Sequence, residues 1–228
     1  MPGKPCFAQD NWKVYQTEEY GHVKGEAAMM QEIYQRGPIA CGIAVPDALE
    51  DYTSGIFNDT TGDMNIVHDI SVVGWGVENG TKYWTVRNSW GSHFGESGFF
   101  RVVRGINNIA IESDCAWATP KDTWEEVDAD TLPDNWDWRD MNGTNFLSWN
   151  KNQHIPVYCG SCWAQGSTSA LADRFNILLN DMSPTPVALD AQVIVNCRAG
   201  GSCQGGNPGG VYSFAYSEGI PDSSCEQY

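Results

Sequence analysis

Gln153-His154-Ile155-Pro156-Val157-Tyr158-Cys159-Gly160-Ser161-Cys162-Trp163 leads into the longest helical pattern of the chain. From Cys162 to about Leu179 there is no Gly after Gly166 and no Pro. Ala170, Leu171, Phe175, Leu178 and Leu179 recur at helical spacing. A helix starting at Cys162 is therefore expected. A thiol is a useful nucleophile only as thiolate, and a helix N-terminus and a neighbouring imidazolium both lower its pKa. Cys162 is placed for the first device, and His68 could supply the second. Asn88 could accept the other ring N–H and hold the imidazole in orientation. Acyl transfer also needs donors for an oxyanion, and Gln153 and the Cys162 backbone N–H are candidates.

Each residue also has a plainer reading. Cys159 and Cys162 form a CxxC that could be a redox pair or half a zinc site. No second CxxC or HxxxH follows, and no thioredoxin-like βαβ pattern surrounds it. His68 could be an ordinary half-buried histidine, Asn88 a turn residue, and Trp90 and Trp163 core. Their joint occurrence in CGSCWA, VHDISVVGWG and VRNSWG favours the catalytic reading.

Outward from this stretch the chain divides. Residues 25–36 read as a helix, with Met29/Ile33 and Met30/Tyr34 at four-residue spacing and Gly37-Pro38 as its stop. Ile39 to Val45, Asp69 to Val73, Lys82 to Arg87 and Gly98 to Val103 read as strands, with Glu78-Asn79-Gly80 as a hairpin turn. Short helices are expected near Asp190 to Val195 and Val211 to Ser217. An α+β chain follows, with a β-rich half over 1–115, an acidic linker over 116–131 and a helical half over 132–228.

The 228 residues can bury one large core or two small ones joined by a cleft. A hydrophobic content of 41% with ten Trp argues for a folded protein. The net charge of −16 argues against nucleic acid or an anionic membrane surface as partner. No apolar run is long enough to insert in a bilayer, and Met1-Pro2-Gly3-Lys4-Pro5 lacks the apolar stretch of a signal peptide. Eight Cys and the sequons at Asn58, Asn79 and Asn142 nevertheless point to an oxidising route.

The three strings, together with Gly205-Gly206 in CQGGN, resemble the papain family of cysteine proteases. DNWDWRDMNGTNFLSWNKNQHIPVYCGSCWAQGSTSALADR, YGHVKGEAAMMQEIYQRGPIACGI and TKYWTVRNSWG resemble its cathepsin X (cathepsin Z) branch. The resemblance implies a two-domain fold, one domain helical and one β-barrel-like, around a cleft. It implies Cys162 as nucleophile, His68 as general acid/base, Asn88 as orienter and Gln153 as oxyanion donor. Trp90 would shield the Asn–His bond, and Gly205-Gly206 would hydrogen-bond an extended substrate. Gln153 precedes Cys162 by nine residues, because His154-Ile155-Pro156 is inserted relative to most of the family. In the cathepsin X branch that loop closes the cleft and its His meets the substrate's terminal carboxylate, giving a carboxypeptidase. An imidazolium at that point gains from a carboxylate, and a wall rejects longer peptides. Tyr158 would buttress the loop. The implied partners are peptides with a free C-terminus and cystatin-type inhibitors. The implied compartment is lysosomal, vacuolar or secreted, and no metal or organic cofactor is implied.

Three departures accompany the resemblance. The half bearing His68 and Asn88 precedes the half bearing Cys162, no propeptide precedes Leu132-Pro133, and the cysteine set is incomplete. The family pattern pairs Cys159 with Cys203 and Cys41 with Cys115. It leaves Cys6, Cys197 and Cys225 short of a partner, with Cys6–Cys225 as a rescue pair that would leave Cys197 and Cys162 free. A circular permutant or a window cut from a tandem array would explain the order. Loss of the bracing segment could instead leave a catalytically impaired binding module.

Overall fold

The computed structural model describes residues 13–120, 127–179, 186–225 and 228. In chain order the elements are β1 (Val14–Tyr15), β2 (Glu19–Val23), α1 (Glu26–Arg36), β3 (Ile39–Ile43), α2 (Asp47–Glu50), β4 (Ile56–Phe57), β5 (His68–Glu78), β6 (Thr81–Arg87), β7 (Phe99–Val103) and β8 (Cys115–Thr119). They continue with β9 (Trp136–Asp137), α3 (Cys162–Leu179), α4 (Ala191–Asn196), β10 (Gly201–Ser202), β11 (Gly205–Gly206), α5 (Pro208–Ser217) and β12 (Ile220–Pro221). The architecture is an α+β fold with helical and β-sheet regions.

One sheet runs in the order β2-β8-β3-β5-β6-β7-β4, with β9 added on β5. β5 and β6 close as an antiparallel hairpin that pairs Glu78 with Thr81. Asn79 and Gly80 take φ of 51° and 77° there, the left-handed pair a tight hairpin turn requires. The expected linker start needs correction. Ala116 to Thr119 belong to β8, paired with β2 and β3, with Ala116 and Ala118 buried. Small residues fit a strand sandwiched between sheet neighbours but give little apolar signal. Residues 121–126 of that linker lie outside the described residues.

The core forms two clusters whose membership crosses the limits read from sequence. Met29, Ile33, Val72, Trp75, Trp84 and Phe100 pack with Trp138 and Leu147 from beyond the linker. Trp163, Leu171, Phe175 and Ile194 pack with Tyr15, Ala40 and Ala118 from before it. Between the clusters runs α3, buried from Cys162 to Phe175. A helix buried all round must satisfy its polar side chains internally. Ser167 and Thr168 donate to the carbonyls of Trp163 (2.6 Å) and Ala164 (2.7 Å). Gly166 lets the helix lie close on β5, since a Cβ there would sit 3.2 Å from the Ile70 carbonyl oxygen.

Two buried arginines tie the halves. Arg87 of β6 pairs with Asp173 of α3, and Arg174 donates to Pro38 O (2.7 Å), Gly37 O (3.0 Å) and Glu32 Oε1 (2.8 Å). Cys41–Cys115 and Cys159–Cys203 are disulfides, as the resemblance implies. Of the three cysteines expected to be short of a partner, Cys225 is free, as is Cys162, among the described residues, whereas Cys197 is disulfide-bonded. The rescue pair with Cys225 is therefore not formed, while Cys6 lies outside the described residues. No described helix is long and apolar enough to cross a membrane.

Candidate active site

Cys162 is the first residue of α3, and the Ser161 carbonyl accepts the opening helical bonds from Ala164 N (2.9 Å) and Gln165 N (2.9 Å). Gly160 lets the preceding turn press on the neighbouring loop: its N donates to Cys203 O at 2.9 Å, and a Cβ would come within 2.6 Å of that oxygen. The disulfide pins the same loop, which leaves no Cys159–Cys162 redox pair. The start of α3 meets the start of β5, where His68 sits. Burial pushes the Cys162 thiol up, while backbone amides of Asp69, Trp163 and Cys162 itself pull it down and the Asp69 charge raises it.

His68 Nε2 lies 2.8 Å from Asn88 Oδ1, which also accepts from Ser89 N at 2.8 Å. The second bond fixes the amide, so Asn88 can hold the ring in one orientation. Burial pushes the His68 pKa down to about 4, Asn88 raises it and the His154 charge lowers it. Among the described residues no direct hydrogen bond joins Cys162 Sγ to the His68 ring. Catalytic hydrogen bonds are often long before substrate arrives.

Gln153 reaches the site because residues 151–153 zip onto 89–91. Gly91 N donates to Lys151 O (3.1 Å), Gln153 N donates to Ser89 O (2.9 Å), and Trp90 and Asn152 form a bridge. Ser89 Oγ donates to Gln153 Oε1 at 2.6 Å, and Gln153 Nε2 makes only a long contact to Cys159 O at 3.4 Å. Ser89 was not singled out from sequence; its signal is a hydroxyl between Asn88 and Trp90, on a segment that must be buried.

The same zipper sets His154 beside Trp90. The Trp90 ring lies 5.0 Å from His68 and 6.4 Å from His154, and His154 is 5.3 Å from Tyr158, all centroid to centroid. His154 and Tyr158 are exposed on the loop between Gln153 and Cys159. Gly205-Gly206 lie on β11, exposed, with Gly206 against Trp163, where a Cβ would meet the indole at 2.5 Å. The structure thus gathers Cys162, His68, Asn88, Gln153, Trp90, His154 and Tyr158 at one edge where the halves meet. Asp69, also missed from sequence, lies in the same place. Burial and then the Asp114 charge push its carboxyl up to about 7.

The profile of the papain family cysteine proteases matches residues 2–119 and 132–228. The chain belongs to the papain family. It is 54% identical over 104 residues to cathepsin Z of Onchocerca volvulus, covering 46% of this chain and 34% of that protein. It is 44% identical over 85 residues to a cathepsin B-like cysteine proteinase of Ostertagia ostertagi, covering 37% of this chain and 49% of that protein. The digestive procathepsin L 3 structure from Tenebrio molitor larval midgut matches at 36% identity and TM-score 0.43, covering 45% of this chain and 35% of that one. The chain therefore spans about a third to a half of the length of these relatives.

Proposed function

We propose that this chain is a cysteine peptidase of carboxypeptidase type. Cys162 Sγ attacks the scissile carbonyl carbon, and the Cys162 backbone N–H and Gln153 Nε2 receive the oxyanion. His68 takes the thiol proton and returns it to the leaving amine as the C–N bond breaks. Water then hydrolyses the thioester, releasing the acid and restoring the thiol. Trp90 covers the His68–Asn88 bond, Tyr158 supports the loop, and Gly205-Gly206 bind the substrate backbone.

The observation that carries the exopeptidase part is the stack running from His68 through Trp90 to His154. On this reading the exposed imidazole lies just beyond the departing residue and meets its terminal carboxylate. The substrates are peptides with a free C-terminus, and cystatin-type inhibitors fit the same cleft. The family points to a lysosomal, vacuolar or secreted setting. The two-segment family match supports a division between about 119 and 132, and a permutation or a tandem array would account for the half with His68 and Asn88 preceding the half with Cys162.

The test uses peptide pairs that differ only in a free or amidated C-terminus, with single-residue release read by mass spectrometry. Free peptides should lose one residue and amidated ones should not. His154→Ala should weaken this preference by about tenfold or more, the worth of a charge-assisted hydrogen bond, with less effect on Cys162 alkylation. Equal loss of both would count against the carboxylate role. The missing thiol–imidazole hydrogen bond favours one second reading, a papain-like binding module without turnover. Covalent capture of Cys162 by a thiol-directed epoxide inhibitor would exclude it.

A further inference from the structure

Beyond His154 lies a cavity of about 470 Å³, within the roughly 300–1,000 Å³ range of small-molecule sites. Trp90, Phe94 and Tyr52 form its aromatic wall, His154 stands at its edge, and Glu50, Asp51 and His93 also border it. Phe94 and Tyr52 are buried, with ring centroids 6.1 Å apart. The Tyr52 hydroxyl donates to Gly55 O at 2.6 Å, so the ring presents an apolar face. Glu50 closes α2 and Asp51 follows it; both are exposed. Neither carboxylate has an ion-pair partner among the described residues.

We propose that this cavity receives the side chain of the departing C-terminal residue and selects a long side chain with a cationic end, arginine above all. The proposal rests on the carboxypeptidase reading. With the terminal carboxylate at His154, the side chain runs along Trp90 and Phe94 toward Glu50 and Asp51. Its methylenes pack on the aromatic wall while its charged end stays wet. A planar guanidinium stacks on aromatic faces and pairs with carboxylates, which a compact ammonium does less well. An acidic side chain would meet two like charges.

The experiment uses the full chain and three peptides ending in Arg, Leu or Glu, otherwise identical, each free and amidated. The expected order in kcat/KM is Arg, Leu, Glu, with Arg over Glu by at least about tenfold, equivalent to about 1.4 kcal/mol. The double variant Glu50→Gln, Asp51→Asn should bring the Arg-to-Leu ratio to within about twofold, since it removes both carboxylates that meet the cationic end. Equal rates for the three endings, or an unchanged ratio in the double variant, would overturn the proposal while leaving the carboxypeptidase reading standing. Cleavage of amidated peptides without single-residue release would instead defeat that reading. The same three residues placed directly after the cut bond would then decide the cavity. Binding of Ala-Arg against Ala-Glu to protein alkylated at Cys162, followed by tryptophan fluorescence, decides it without turnover. Tighter Ala-Arg supports the proposal and equal affinity overturns it.

Discussion

Removing the Asp173 carboxylate should loosen the whole molecule. Asp173 is fully buried on α3 and accepts from Arg87, from Ser148 N at 2.7 Å and from Ser148 Oγ at 2.9 Å. Arg87 is buried at the other end of the pair, on the strand that leads into Asn88. Asp173→Ala leaves that guanidinium with only Ser148 to bond and orphans the Ser148 amide. Breaking one side of a buried pair costs about 3–5 kcal/mol, against a total stability of about 5–15 kcal/mol. With a urea slope of about 2 kcal/mol per molar, a loss of about 4 kcal/mol lowers the midpoint by about 2 M. Urea titrations followed by tryptophan fluorescence and far-UV circular dichroism should shift together, because the pair joins the two halves. Arg87→Met with Asp173→Leu should recover most of the loss, since well-packed apolar replacements of buried pairs are often neutral or stabilising. A single-variant shift below about 0.5 M, the size of a surface pair, would refute the reasoning. Separate transitions for the two probes in the wild type would refute it too.

His68→Ala should lower kcat/KM on a free-ended peptide by about 10²–10⁴, the range for a general acid–base group, and Asn88→Ala should lower it less; steady-state kinetics read both. The folded His68 pKa of about 4 lies below its unfolded value of 6.5, so its stabilisation is full above pH 6.5 and lost as pH falls toward 4. Asp69, raised to about 7, has the opposite sign: its contribution is full below 3.8 and lost as pH rises through 7. The difference in stability between wild type and His68→Phe, measured from pH 7 to 4, isolates the histidine and should shrink as pH falls. Asp69→Asn should move the Cys162 alkylation profile to lower pH, because the Asp69 charge raises the thiol. Gly160→Ala should destabilise by about 1–3 kcal/mol through overpacking against the Cys203 carbonyl, read as a lower melting temperature.

The helix that carries Cys162 was legible because eighteen residues without Pro leave the backbone few alternatives. The β5–β6 hairpin was legible because Asn-Gly supplies left-handed torsions at the right place. β2 was not, since Glu19–Val23 is an edge strand with polar, largely exposed side chains and little apolar alternation. The N-terminal part of β8 was hidden because two alanines in CAWAT are buried by their neighbours and not by hydrophobicity of their own. Among site residues, Cys162, His68, Asn88 and Gln153 are short-range motif signals. Tyr52 and Phe94 come to the cavity through tertiary packing, and no local pattern announces them. Cys197 was misjudged because cysteine pairing depends on where chains meet, which spacing does not reveal.

Under the proposed mechanism burial opposes the thiolate–imidazolium pair from both sides, since it raises the thiol and lowers the imidazole. Considered singly, each group rests neutral near pH 7. Proton transfer from Cys162 to His68 creates both charges together, so their attraction in a water-poor site offsets part of what each would face alone. The sulfur already has helpers in the amides of Asp69 and Trp163 and in the N-terminus of α3. The imidazolium has Asn88 Oδ1, held in place by Ser89 N. Asp69 is the group that tilts this balance with pH. Above about 7 its carboxylate opposes the thiolate, and below that it is protonated and stops doing so. The neutral pair and the ion pair hold the same number of protons, so acidification has no direct effect on the balance between them. Loss of the Asp69 charge therefore shifts that balance toward the thiolate–imidazolium pair as pH falls below about 7.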